Sequence, residues 1–168
     1  MLCLSGNYVS EETTSNIINF ILSSSELNTY SVHKLFLAGK SYGDEEALIR
    51  VAVYIIGEFG DKLISQSAIT EDNVSISYSE ADIVNWLQSI LQRGKCAEYV
   101  LNCLLKLSIK FRNIDINSII QNETKASNYE VQQRAVEYKL FKNIVPDDMK
   151  REVLAPVPLP KSLEVVKK

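Results

Sequence analysis

The position of its prolines is the feature that most constrains this chain. All four, Pro146, Pro156, Pro158 and Pro160, lie within the last 23 of the 168 residues. A proline inside a helix removes a backbone hydrogen bond and clashes with the preceding turn, so it is the strongest breaker of helices. Because nothing of this kind precedes Pro146, the sequence predicts a long series of helices with few interruptions.

The composition is that of one globular domain. Hydrophobic residues make up 46% of the chain, charged residues 23%, and the net charge is −3. A domain of this length buries about 70% of its unfolded surface, so a core is available. We expect neither a disordered segment nor a basic nucleic-acid binder. No apolar run reaches the roughly 20 residues that span a bilayer, and the N-terminus lacks the pattern of a signal peptide, so we expect the protein to stay in the cytosol.

Residues 44–63 show the clearest helical period. Apolar side chains recur there at steps of three and four, at Leu48, Val51, Ala52, Ile55, Phe59 and Leu63. This spacing places them on one helical face. We expect Asp44 to cap the helix, and we expect Gly57 and Gly60 to lie inside it on a face that a neighbouring helix approaches closely. We therefore predict that Gly60→Leu destabilises the fold, and that Glu58→Ala has a much smaller effect.

Weaker periods predict helices along most of the remaining chain. We expect a helix along Cys96 to Phe111. Others are expected after Ser10, before a helix end at Gly39, at a capping box of Ser79 with Asp82, after Asp115, from about Asn128 and, as a short helix, after a cap at Asp147, which brings the total to about eight. Short connections imply antiparallel pairs, which we place at residues 11–39, 44–92, 95–125 and 129–154. The predicted fold is all-α, an α-solenoid of stacked antiparallel helix hairpins of the HEAT or armadillo kind, and a globular helical bundle is the alternative.

Two segments lie outside this helical pattern. We expect residues 65–78 to form a solvated loop, although Val74, Ile76 and Tyr78 alternate as in a short extended piece. Beyond Leu154 the sequence PVPLP followed by KSLEVVKK predicts an extended exit from the fold. The expected domains are therefore a solenoid over residues 1–154 and a proline-containing C-terminal extension over residues 155–168.

No combination of residues predicts catalysis, a cofactor or a metal. Glu58 and Asp61 are three residues apart, but no histidine or nucleophile accompanies them, so we interpret both as solvent-facing charges. His33 is the only histidine, and with the three cysteines Cys3, Cys96 and Cys103 it lacks the spacing of a zinc site. We interpret the cysteines as thiols, two of them on a buried helical stripe. The protein is not expected to be an enzyme.

A basic run lies at residues 93–112. It holds five cations and only Glu98 as an acid. It could dock an acidic partner or a membrane surface, and charge reversal at Lys106 and Lys110 should then weaken sedimentation with acidic liposomes. The simpler interpretation is the solvated face of an amphipathic helix.

Several stretches resemble a known family. LIRVAVYIIGEFGDKL (residues 48–63) and NYEVQQRAVEYKLFK (residues 128–142) resemble the late part of an adaptin large-chain trunk. GNYVSEETTSNIINFILSSSELNTYSVHKLF (residues 6–36) and EYVLNCLLKLSIKF (residues 98–111) are similar to gamma-adaptins in particular. The serine-bearing segment 65–78 and the tail from residue 153 depart from the family pattern.

The resemblance implies a function that the residues alone do not indicate. Gamma-adaptins are large subunits of a clathrin adaptor complex that sorts protein cargo into coated vesicles at the trans-Golgi network and endosomes. The implied partners are a beta-type adaptin large chain, a medium subunit and a small subunit. Clathrin would bind only through regions absent from this chain, and the membrane association would be peripheral, through the full complex. The alternatives are another helical-repeat scaffold, of the alpha-adaptin or coatomer type, and a nucleic-acid binder that uses residues 57–60 as a clamp loop.

Overall fold

Eight α-helices make up most of residues 9–69 and 75–156, the part of the chain that the computed structural model describes. They are α1 (Glu11–Ser23), α2 (Ser25–Ser41), α3 (Glu46–Ser65), α4 (Glu80–Gln92), α5 (Ala97–Leu107), α6 (Ile116–Glu123), α7 (Tyr129–Ile144) and α8 (Asp147–Val153). Two short strands, β1 (Ala68–Ile69) and β2 (Ser75–Ile76), separate α3 from α4. The all-α prediction and the expected number of helices are confirmed for these residues.

Side-chain caps set the starts of four helices. In each, the residue before the helix accepts a hydrogen bond from a first-turn N–H, at Ser10, Ser79, Asp115 and Asn128. Such a cap satisfies a backbone donor that has no partner within the helix. These four starts agree with the sequence prediction because capping depends only on neighbouring residues.

The start of α4 is a complete capping box. Ser79 Oγ accepts from Asp82 N–H at 3.2 Å, and the Asp82 carboxylate accepts from Ser79 N–H at 2.9 Å. The bonds from the backbone and side chain of Ser79 lower the pKa of the Asp82 carboxyl, because they favour its charged form. Tyr78 and Ile83 occupy the two positions of a hydrophobic staple, with Ile83 buried in the core cluster and Tyr78 packed against it.

This capping box predicts a pH-dependent contribution to stability. Ser79→Ala should lower the free energy of unfolding by about 1 kcal/mol at neutral pH. A carboxyl whose pKa is lowered by folding stabilises the fold above its unfolded pKa, and this stabilisation is lost as pH falls through the folded pKa. The free energy of unfolding of the Asp82→Ala variant should therefore be lower than that of the unaltered chain at neutral pH, and this difference should shrink on acidification. Urea melts across that pH range measure it, and a difference independent of pH would contradict the prediction.

Two predicted caps are wrong. Glu45 is the N-cap of α3, and its carbonyl accepts from Ile49 N–H at 3.0 Å, so the helix starts one residue later than a cap at Asp44 requires. Pro146 is the N-cap of α8, and Asp147 is the first helical residue, where its carboxylate binds Lys150 at 2.8 Å. Proline suits this position because it has no backbone N–H that needs a partner.

The central helix is α3, which is buried along most of its length. It makes its most extensive contacts with α2 and α5, and α7 packs against α5 and α6. The predicted pairing over residues 44–92 needs correction, because α3 touches α4 much less than it touches α2 or α5. The reason is the connection between α3 and α4, which spans residues 66–79 and is too long to force its flanking helices together.

Gly57 and Gly60 lie inside α3, where they allow α5 to approach. A Cβ at Gly57 would lie 3.3 Å from the backbone Cα of Cys103, and one at Gly60 would lie 2.7 Å from Cδ2 of Leu107. Between the glycines, Phe59 departs from helical geometry at φ −125° and ψ 18°, which kinks the helix. The predicted close approach is confirmed. Because both glycines are buried in a helix, the alternative of a nucleic-acid clamp loop at residues 57–60 is wrong.

Gly39 has a different role from the one predicted. It does not end a helix, since α2 continues to Ser41. Gly39 is buried, and a Cβ there would lie 2.6 Å from Cζ2 of Trp86. The Trp86 ring also meets Phe36 edge-on, with ring centroids 5.3 Å apart. Gly39 therefore makes room for an aromatic contact between α2 and α4.

The segment at residues 65–78 contains the extended piece that the alternation indicated. Ala68 pairs with Ile76 and Ile69 with Ser75 in an antiparallel ladder. The expectation of a purely solvated loop is therefore wrong for these residues, and residues 70–74 lie outside the described part. At the other end, α8 ends at Val153, and the predicted extension lies outside the described residues from position 157 on.

Candidate functional site

A buried ion pair links α3 to α5. Lys106 Nζ donates to the Glu58 carboxylate, and the two side chains are only 10% and 2% exposed. Beside them, Lys110 Nζ donates to the Glu58 carbonyl and to Asp61 Oδ1, the latter at 2.9 Å. The interpretation of Glu58 as a solvent-facing charge is wrong. Asp61 is 56% exposed and forms the outer member of the cluster.

This pairing also changes the meaning of the basic run at residues 93–112. Lys106 and Lys110, which we expected on a solvated face, are neutralised by Glu58 and Asp61. Charge reversal at these two lysines would place like charges together in a buried site, so lost liposome binding would report unfolding rather than a membrane surface.

The other candidate residues lie in the core. His33 is buried, with Nδ1 2.8 Å from the Thr29 carbonyl, and its Nε2 has no hydrogen-bond partner in the described part of the chain. Cys96 and Cys103 are buried free thiols, and burial raises the pKa of both. Their interpretation as packed thiols is confirmed, and Cys3 lies outside the described residues. No cluster of three or more metal-ligating side chains occurs within residues 9–69 and 75–156.

The surface most suited to binding is an apolar stripe on α7. One face of this helix packs on the core through Val131, Ala135 and Tyr138. A second face carries exposed apolar side chains, which we call the α7 stripe: Tyr129, Val136, Leu140 and Ile144. Leu140 is 51% exposed and Ile144 is 74% exposed. Exposed apolar side chains grouped along one face are typical of a protein-binding surface.

Sequence reasoning missed the α7 stripe although its signal is visible. Val136, Leu140 and Ile144 recur at steps of four, which places them on one helical face. The core residues of α7 have the same period with a different phase. A helix with two apolar faces needs two partners, and only the tertiary structure shows which face the chain itself covers.

A basic cavity lies among the last helices. It has a volume of about 400 Å³, with α6, α7 and α8 and the residues after α5 around it. Its lining includes one carboxylate, Asp147, and five cations: Arg112, Lys139, Lys142, Lys150 and Arg151. Of the five cations in the basic run at residues 93–112, only Arg112 lines this cavity.

Comparison with known proteins identifies the family. The family model described as "Adaptin N terminal region" matches residues 1–143. The chain belongs to this family. The match extends from the N-terminus nearly to the end of α7, so it includes the α3–α5 ion pair and most of the α7 stripe.

Three relatives of this adaptin chain are gamma subunits. It is 34% identical to the AP-1 complex subunit gamma-1 of Schizosaccharomyces pombe over 92% of the chain and 19% of that protein. It is also 34% identical to the AP-1 complex subunit gamma of Dictyostelium discoideum, over 82% of the chain and 16% of that protein. With the AP-1 complex subunit gamma-like 2 of Mus musculus it shares 31% identity, over 95% of the chain and 20% of the relative. The chain therefore spans about one fifth of the length of these relatives.

These findings confirm the resemblance and the fold class. Adaptin N terminal regions are helical-repeat solenoids, as predicted for this chain. The relatives named above are gamma subunits, in agreement with the resemblance of residues 6–36 and 98–111. Among the described helices of this adaptin chain, none is long and apolar enough to cross a membrane.

Proposed function

We propose that this chain is a scaffold segment of a clathrin adaptor large subunit, of the gamma type found in AP-1 complexes. The family match and the gamma-subunit relatives support this proposal. Its role is to hold adaptor subunits together while protein cargo is sorted into coated vesicles at the trans-Golgi network and endosomes. In this role the chain presents surfaces to other proteins and catalyses no reaction.

The observation that carries the proposal is the α7 stripe. Its side chains are exposed although the helix already contributes Val131 and Ala135 to the core. Covering exposed apolar surface on a partner is favourable in proportion to the area removed from water. The occupant we propose is a beta-type adaptin large chain, which is the large-chain partner that the resemblance to an adaptin late trunk implies. The exposed centre of the stripe, Leu140 and Ile144, would supply the anchoring contacts.

The remaining assignments follow from the same proposal. Medium and small adaptor subunits complete the complex, clathrin binds through regions outside this chain, and the complex associates peripherally with the cytoplasmic side of the membrane. Residues 1–154 form the scaffold, and residues 155–168 form a proline-containing extension that leads toward a hinge.

Coexpression with a tagged beta-type adaptin tests the contact. The unaltered chain should copurify, and the double variant Leu140→Glu with Ile144→Glu should reduce the recovered chain by about tenfold or more, because two buried charges would face an apolar partner. The variant should keep its thermal unfolding midpoint, since both positions are exposed in the free chain.

Phe20→Glu is the matched control. Phe20 is 65% exposed on α1, so this variant introduces an apolar-to-glutamate change of the same kind, at one position instead of two, on another helix. It should copurify normally. Failure of the unaltered chain to copurify, or recovery of the double variant at the level of the control, would refute the proposed contact.

A further inference from the structure

The basic cavity is lined by many more cations than carboxylates. Five cations and one carboxylate line it, which leaves an excess of four positive charges in a concave space of about 400 Å³. The whole chain, by contrast, has a net charge of −3. Like charges held together in a concave space repel one another, and an anion placed among them removes that repulsion.

Three of the cations are free to bind a ligand. Arg112, Lys139 and Arg151 are exposed, and none makes an ion pair with another described residue. The backbone N–H groups of Arg112 and Asn113 donate to Glu80 at 3.2 and 2.8 Å, which fixes the chain at this edge of the cavity. Arg112 therefore lies at a defined position rather than on a loose loop.

The other two cations are held in place by the fold. Lys142 Nζ donates to Asn117 Oδ1, and Lys150, which is buried, donates to Asp147 Oδ1 at 2.8 Å. Burial lowers the pKa of Lys142, and the nearby positive charge of Lys150 lowers it further. Lys142 is therefore a partly buried cation that forms no ion pair with another described residue, and an anionic ligand would stabilise it.

We propose that the basic cavity binds a compact anion that carries several phosphate charges. Phosphate oxygens accept charge-assisted hydrogen bonds from lysine and arginine, and these are the strongest polar contacts available to this lining. The cavity is concave and its cations come from three separate segments, which suits a compact ligand better than an extended acidic peptide. The phosphate could be a free oligophosphate or a lipid headgroup, because both present the same chemistry.

The basic cavity lies directly beside the α7 stripe. Lys139 and Asn143 line the cavity from α7, one position before Leu140 and Ile144 of the α7 stripe. The two surfaces thus lie side by side on one helix, although the phosphate site does not depend on the subunit contact.

Titration calorimetry with sodium tripolyphosphate tests the site in the unaltered chain. We expect saturable binding that weakens as salt is added, because it rests on charge. The double variant Lys139→Gln with Arg151→Gln should weaken it at least about tenfold, which corresponds to about 1.4 kcal/mol. The control Lys95→Gln with Lys125→Gln removes the same charge from exposed positions outside the cavity lining and should bind normally.

A second arm distinguishes the source of the phosphate. Sedimentation with phosphatidylcholine vesicles that carry phosphatidylinositol bisphosphate, whose headgroup bears several phosphate groups, compared with phosphatidylcholine alone, reports headgroup binding. Sedimentation that is lost in the cavity variant but kept in the control assigns the site to a lipid, and tripolyphosphate binding without sedimentation assigns it to a soluble phosphate. The absence of saturable tripolyphosphate binding, or equal weakening in both double variants, would overturn the proposal.

Discussion

Replacement of Glu58 by alanine is expected to lower the free energy of unfolding by about 3–5 kcal/mol, because Lys106 would remain in a buried site without its carboxylate partner. The Lys106 side chain is 10% exposed and donates directly to the Glu58 carboxylate. This expectation reverses the prediction from sequence, which gave Glu58→Ala a small effect. Urea denaturation of the purified chain measures the difference.

Two further variants separate the buried charge from a general loss of packing. Asp61→Ala removes the exposed carboxylate of the same cluster, and it should cost less than about 1 kcal/mol because solvent screens the pair it forms with Lys110. The double variant Glu58→Leu with Lys106→Met removes both buried charges together. It should recover much of the lost stability. A Glu58→Ala variant as stable as Asp61→Ala would show that the pair is not desolvated.

Gly57→Leu is expected to destabilise the chain by about 3 kcal/mol, at the upper end of the usual range for overpacking. The reason is the nearness of α5, whose backbone Cα at Cys103 lies 3.3 Å from the position of a Cβ on Gly57. A backbone atom cannot turn aside as a side chain does, so α3 and α5 would have to separate. The denaturation midpoint should fall accordingly.

Gly60→Leu is the comparison for this variant. Its Cβ would meet the far end of the Leu107 side chain, which can shift, so we expect a loss of about 1–2 kcal/mol. Leu107→Ala combined with Gly60→Leu should cost less than the sum of the two changes, because the new side chain fills the space that leucine vacates. An effect of Gly60→Leu equal to or larger than that of Gly57→Leu would contradict the assignment of backbone contact to Gly57.

The accuracy of the sequence predictions depended on the distance over which each interaction acts. The helix starts at Ser10, Ser79 and Asn128 were predicted correctly, because the side chain that caps each start bonds a backbone group only two or three residues away. The predicted cap at Asp44 was wrong. An acidic residue before a helix can occupy either the cap position or the preceding turn, and the local sequence pattern does not distinguish these two positions. Gly39 was interpreted as a helix end because the ring of Trp86, which explains it, comes from a different helix.

The candidate surfaces were also missed because they depend on contacts between segments that are distant in the sequence. Residues 128–142 were recognised as adaptin-like, yet the α7 stripe was missed, since an apolar period predicts burial and does not say which face finds a partner within the chain. The cations of the basic cavity were missed because they are scattered through residues 112–151 and gather only when the segment after α5 lies beside α7 and α8.

The amino-acid sequence by itself determined where most helices form and where several of them start, because hydrogen bonding and helical period act between near neighbours. Its resemblance to adaptins, carried by whole stretches of residues, indicated the family. Only the tertiary structure decided which charges are buried, since Glu58 and Lys106 are 48 residues apart and meet only when α3 packs on α5. It likewise decided which apolar face of α7 stays exposed. Whether a side chain is buried depends on every segment that packs around it, and the residue pattern of one segment does not specify those neighbours.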